Sequence, residues 1–167
     1  MQTNEPGWSD AVGQTLDTYA DATGNAPLAV TAVGTGTMPA ASLWKFSATV
    51  ASVREPLCEH VGINLRGDAI LERIIDGRCI WRGAAAGTLI FLRGEGASNW
   101  RLVGANEAIQ VYISKSLSQA LVNSALPDLP SRDPVLFQMG KVLSVALKES
   151  GGDATYIAPL LQSFEQC

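Results

Sequence analysis

Hydrophobic and polar positions divide the chain into three stretches. From Trp8 to Ala22, Ala11, Leu16 and Tyr19 fall near one face of a helix. Gly24 to Pro39 is rich in Gly, Thr, Ala and Pro and predicts a loop or extended arm with turns. From residue 41 to 114 the period shortens to two. Trp44 to Val53 predicts one long strand that Pro56 ends. Leu57 to Leu65 alternates, with Leu57, Val61, Ile63 and Leu65 on one side and His60, Gly62 and Asn64 on the other. Arg66-Gly67-Asp68 signals a turn, Ala69 to Ile75 a return strand, and Asp76-Gly77 a tight hairpin into Arg78 to Arg82. Thr88 to Leu92, Ser98 to Val103 and Glu107 to Ile113 complete a series of seven or eight short strands separated by glycine-rich turns. Such a series predicts an antiparallel sandwich or barrel.

Beyond Ser114 the period lengthens again. Lys115 to Ser124 predicts a helix and the proline-rich Leu126 to Pro134 a linker. Asp133 then suits an N-cap, with Pro134 in the first helical position. Leu136, Met139, Leu143, Ala146 and Leu147 recur at helical spacing until Gly151-Gly152. Asp153 can cap a last helix carrying Tyr156, Ile157, Leu160, Leu161 and Phe164, which Pro159 should kink or delay. The expected division is an N-terminal helix and arm over 1–40, a β-barrel over 41–114 and a helical tail over 115–167.

Composition narrows the function. Of 167 residues, 47% are hydrophobic and 17% charged, enough apolar material for a packed core. Sixteen acids against twelve bases give a net charge of −4, which repels phosphate and argues against direct nucleic-acid binding by this segment. His60 is the single histidine, so no metal site here takes two imidazoles from one chain. Cys58, Cys79 and Cys167 form no short pair and read as reduced thiols. The start has no basic and apolar leader, and no apolar run reaches the roughly 18 residues that span a bilayer. A cytoplasmic chain with no membrane partner is the expectation.

Several catalytic patterns fail. Gly34-Thr35-Gly36 and Gly94-Glu95-Gly96 begin like a dinucleotide fingerprint, but Pro39 and Asn99 occupy the third glycine position. There is no phosphate-binding GxxxxGK[ST] run and no GxSxG elbow. A Ser-His-Asp triad would have to recruit the mid-strand His60.

The stretch Gly62 to Trp100 resembles a cupin barrel. Glu72 to Gly77 looks like the glutamate-to-glycine end of the first cupin motif, and Gly87 to Ala97 like the second. No histidine lies in Leu65 to Leu71, Leu92 stands in the proline position, and Ala97 stands where the third metal histidine would be. The resemblance therefore implies a jelly roll without metal or other cofactor. The run His60 to Gly67, then Glu72-Arg73, Asp76-Gly77-Arg78, and Gly94 through Arg101 with Ala108 to Ser114, is similar to the N-terminal sensor domain of AraC/XylS-type transcription regulators. The likeness extends over roughly Trp44 to Cys167. It implies a mainly β fold, a cupin-like double-stranded β-helix (jelly-roll barrel), followed by C-terminal helices. It further implies a small-molecule effector, a homodimer, and DNA contact only through a helix-turn-helix domain that this chain does not include.

Candidate site residues follow from the strand faces. Trp44, Trp81, Phe91, Trp100 and Tyr112 can line a pocket or simply pack the core, and Trp100 and Tyr112 share their faces with polar Ser98, Gln110 and Ser114. His60 and Asn64 share a face across Gly62. The expected ligand-binding set is Trp44, His60, Asn64, Trp100, Gln110 and Tyr112. The expected dimer contact is Leu136, Met139, Val142, Leu143 and Leu147, because Val135, Val142 and Val145 make that helix apolar on a second side. Two alternatives stay open: a cupin isomerase, epimerase or dioxygenase, and a stand-alone binding cupin with no link to DNA.

Overall fold

A computed structural model of the chain describes residues 8–31, 40–47, 49–54, 58–92, 97–113 and 129–166. The first helix, α1, spans Trp8–Thr23. Nine strands follow: β1 Ala29–Val30, β2 Ala40–Phe46, β3 Thr49–Arg54, β4 His60–Gly67, β5 Ile70–Ile75, β6 Arg78–Ala84, β7 Leu89–Leu92, β8 Ala97–Val103 and β9 Asn106–Tyr112. Two helices, α2 Pro134–Ser150 and α3 Ala154–Glu165, end the described chain. The predicted helix Lys115 to Ser124, the residues Gly34 to Gly36 and Gly94 to Gly96, Ser114 and Cys167 lie outside the described residues.

The strands form two antiparallel sheets, ordered β1-β2-β9-β4-β7 and β3-β8-β5-β6. From β2 to β9 the chain changes sheet at every connection except the β5–β6 hairpin, which is the double Greek-key path of a jelly roll. The fold is thus the expected cupin-like double-stranded β-helix followed by helices. The two sheets are hydrogen-bonded separately and face one another as a sandwich, without closing into one continuous barrel. At the hairpin, Asp76 (φ 49°) and Gly77 (φ 73°) both take the left-handed conformation that a two-residue turn between twisted strands requires.

One strand is corrected. Trp44 to Val53 is two strands, because Ala40–Phe46 pairs with β9 while Thr49–Arg54 pairs with β8 in the opposite sheet. Every residue of that run is β-compatible, so no local signal marks the corner; only the pairing partners do.

Alternation puts both faces of the five-stranded sheet to use. Its outward face carries Leu43, Val61, Ile63, Phe91, Ile109 and Val111, packed against Leu143, Leu147, Ile157, Leu161 and Phe164 of the two C-terminal helices. Burying a side chain of that size contributes about 1.5–3 kcal/mol. Its inward face carries Ser42, Trp44, His60, Asn64, Gln110 and Tyr112, all buried. Consequently every residue of β9 is buried.

The helices are set by local chemistry. Asp133 Oδ1 accepts from the backbone N–H of Val135 (2.8 Å) and Leu136 (3.0 Å), and Pro134 opens α2. Gly151, at φ 61°, ends it. Asp153 caps α3 through Thr155 N–H (2.8 Å). Helix α3 already runs from Ala154, so Pro159 does not delay its start. At Gly140 helix α2 lies so close to the sheet that a Cβ would stand 2.9 Å from Ile63 Cδ1. Lys148 of α2 donates to Glu107 Oε1 at 2.7 Å, and Arg66 of β4 to Glu107 Oε2 at 2.8 Å. Burial works against the Glu107 charge, but these two cations hold its carboxyl below the usual range.

The expected dimer-contact residues divide between the chain's own core and its surface. Leu143 and Leu147 are fully buried within the chain, and Leu136 and Met139 are partly buried against the same core. The sheet uses that stripe to cover its outward face. Val142 is exposed together with Val135 and Val145. No described helix is long and apolar enough to cross a membrane.

Candidate functional site

Between the sheets lies a cavity of ≈ 90 Å³, partly open to solvent. That is room for several waters, or for part of a small organic molecule. The four-stranded sheet contributes Leu71, Trp100 and Leu102, and the five-stranded sheet Asn64, Ile90 and Gln110 among others. Tyr19 and Thr23, from the last turns of α1, complete the wall. The wall is mostly hydrocarbon with a few amide and hydroxyl groups.

The six predicted residues fall into two groups. Asn64, Trp100 and Gln110 stand in the cavity wall. Trp44, His60 and Tyr112 are fully buried on the same inward face, with their polar atoms committed to neighbours. Trp44 Nε1–H donates to Ser42 Oγ (2.7 Å), Ser42 meets the Tyr112 hydroxyl (2.9 Å), and Tyr112 donates to Gln110 Oε1 (2.9 Å). With its oxygen accepting there, Gln110 keeps its NH₂ as the donor end of the amide.

His60 is held from both sides. Its Nδ1 faces the Cys58 carbonyl at 3.1 Å, and a carbonyl only accepts, so Nδ1 carries the proton. Nε2 then accepts from the Tyr19 hydroxyl at 2.8 Å. Burial lowers the imidazole pKa to about 4, against the opposing effect of the Cys58 carbonyl, so the ring is neutral at pH 7. The Tyr19 phenol is raised well above its ordinary value, first by burial. Burial likewise raises the Cys58 thiol to about 11, Thr15 opposing and Glu59 adding. A protonated thiol is a poor nucleophile. This network ties α1 to β4 and so fixes the α1 part of the wall.

A second relay fixes the other end. Asn106 Nδ2–H donates to Asn64 Oδ1 (2.6 Å), Asn64 Nδ2–H to Thr88 Oγ1 (2.9 Å), and Thr88 Oγ1–H to the Ala85 carbonyl (2.6 Å). Asn106 also lines the cavity. Sequence reasoning missed it because Gly104-Ala105-Asn106 reads as a turn. Tyr19 was legible as part of the inward face of α1, but nothing in the sequence says what that face covers.

The glutamate that the cupin motif places near a metal points elsewhere. Leu71 lines the cavity, so Glu72, the next residue on β5, faces the opposite side. There it stands 3.5 Å from Arg82 Nε and 3.6 Å from Arg101 Nη1. Among the described residues no three His, Cys, Asp or Glu side chains gather at one point.

Comparison with known proteins gives a likeness of fold. No protein-family model matches the chain, and no curated protein matches it in sequence. Among solved structures, the Clostridium difficile EutQ protein aligns over 54% of this chain and 66% of its own, at 19% identity and a TM-score of 0.41. The AraC-like transcriptional activator CuxR aligns over 78% of this chain at 12% identity and a TM-score of 0.53. This chain spans about half the length of CuxR, the matched part being 50% of that chain. The alignment with CuxR is a likeness of fold.

Proposed function

We propose that this chain is the effector-sensing and dimerisation domain of an AraC-type transcription regulator, binding a small molecule between its sheets without metal or catalysis. The observation that carries the reading is the half-open cavity walled by Asn64, Trp100 and Gln110 inside a jelly roll. The fold likeness to CuxR, of which this chain spans about half, supports the regulatory context. The net charge of −4 is in keeping with a domain that does not itself grip phosphates. Binding rather than turnover is favoured because the interior titratable groups are already engaged: His60 with Tyr19 and the Cys58 carbonyl, Tyr112 with Ser42 and Gln110, and the Cys58 thiol with Thr15.

A cavity-filling variant tests this. Gly62 lines the cavity in mid-β4, and a Cβ there would make only ordinary contacts, 3.8 Å from the Ile90 carbonyl. Gly62→Val should keep the fold and occupy the ligand's space. In a thermal-shift screen of neutral and charged metabolites, a hit at a hundredfold excess over Kd stabilises by about 2.7 kcal/mol. That raises the wild-type Tm by several degrees and leaves Gly62→Val unmoved. Hits that act equally on both proteins, or a hit that is converted to product, would overturn the reading.

A further inference from the structure

We propose that the outward face of the four-stranded sheet docks an acidic amphipathic helix of a partner protein, with its carboxylates on Arg82 and Arg101 and its apolar side chains on Val103 and Ile70. This surface lies on the far side of the sheet from the cavity and is tested separately from it.

The strand register lays out the face. Leu71, Trp100 and Leu102 point into the cavity, so their neighbours along β5 and β8 point outward. One outward row crosses all four strands as Val50, Arg101, Glu72 and Arg82. The next row, about 7 Å further along the strands, is Val103, Ile70 and Ala84. Helices α2 and α3 cover the outward face of the other sheet. On this one Val50 is 71% and Val103 47% exposed, and Ala84 is exposed beside them.

Charge selects the partner. The strands of this sheet hold five arginines, Arg54, Arg73, Arg78, Arg82 and Arg101, and one acid, Glu72, on a chain whose net charge is −4. In the outward row two guanidiniums share that one carboxylate. They stand 3.5 and 3.6 Å from its oxygens, beyond the roughly 2.7–2.9 Å of a charge-assisted hydrogen bond. The Glu72 side chain is 12% exposed, but that of Arg82 is 69% and that of Arg101 52% exposed, so both can take further carboxylates. Their Cα atoms are two strand spacings apart, about 10 Å. Acids seven residues apart on a helix are about 10.5 Å apart, and an apolar stripe beside them would meet Val103 and Ile70. Exposed ion pairs contribute little apiece, so the apolar row supplies most of the affinity and the arginines the choice of partner. Nucleic acid fits less well, because two cations beside a carboxylate and an apolar row release few phosphate counterions.

The probe is a helical peptide of about 20 residues, with Leu along one face and Glu beside it at heptad spacing, titrated into the ¹⁵N-labelled full chain. The backbone signals of Arg101 and Val103 and the Nε–H signals of Arg82 and Arg101 should move, and those of α2 should not. Replacing the peptide's Glu by Gln should weaken binding about tenfold, the effect of two exposed ion pairs together. The double variant Arg82→Gln, Arg101→Gln should lose the same factor. Val103→Ser, at a half-exposed position, should keep the fold and weaken both peptides about threefold. Equal binding of the Glu and Gln peptides, shifts confined to other surfaces, or no binding at about 1 mM peptide overturns the proposal. So does tighter binding of this face to a short DNA duplex or to phosphatidylglycerol vesicles, which would assign it to nucleic acid or to an anionic membrane. Movement of the same signals on dilution of the protein alone would assign it to a second copy and overturn the proposal equally.

Discussion

Taking the His60 imidazole out of water makes its neutral form part of the native state. With a native pKa of about 4 against 6.5 in the unfolded chain, the unfolded state binds the extra proton between those values. Stability is therefore full above about pH 6.5, falls as pH drops towards 4, and loses no more from this group below that. The difference corresponds to about 3 kcal/mol. Glu107, whose pKa is lowered, loses its contribution as pH falls below the ordinary carboxylate range. Urea unfolding of wild type and His60→Gln from about pH 8 to about pH 2 separates the two. The wild-type slope between pH 6.5 and 4 should flatten in the variant, and the Glu107 part should remain. Parallel profiles would show that the ring is not buried neutral. A lone histidine in mid-strand was visible in the sequence; its burial was not. Whether a polar strand face meets water or another sheet depends on residues far away in the chain, here Tyr19 of α1.

At the scale of elements, two helical glycines make opposite predictions from the same change. A Cβ added at Gly13 in α1 would meet nothing within 4 Å, whereas at Gly140 in α2 it would press on Ile63 Cδ1 at 2.9 Å and Cγ2 at 3.1 Å. Gly→Ala in a helix interior gains about 1 kcal/mol of propensity. Gly13→Ala should therefore raise Tm. Gly140→Ala should lower stability by about 1 kcal/mol, because Ile63 is fully buried and has no room to yield, and overpacking outweighs the propensity gain. Differential scanning calorimetry of both variants checks the signs. Strand periodicity, the Asp76-Gly77 turn and the Asp133 and Asp153 caps were readable because each is decided within a few residues. The β2–β3 corner was not, since it is decided by pairing with β9 and β8. Of the cavity wall, Asn64, Trp100 and Gln110 were found by alternation, while Asn106 looked like a turn and Leu71 and Ile90 like ordinary core.

For the whole molecule, the helical tail leaves one side uncovered. Val135 is 58% exposed, Val142 53% and Val145 51%, on the side of α2 turned away from the sheet. The proposed sensor would join a second copy there. Sedimentation should find a dimer for wild type and a monomer for Val142→Lys at the same micromolar concentration, with Tm unchanged. A wild-type monomer would remove dimerisation from the reading. The opposite side of the same helix has a different implication. The oily outer wall of the five-stranded sheet is complete by Ile113, whereas the helices that shelter it span Pro134 to Glu165. At roughly 5–20 residues per second of translation, that wall stays bare for several seconds on the ribosome. A newborn chain is thus a natural client for chaperones, and translation halted before Pro134 yields a sticky fragment rather than a smaller working domain.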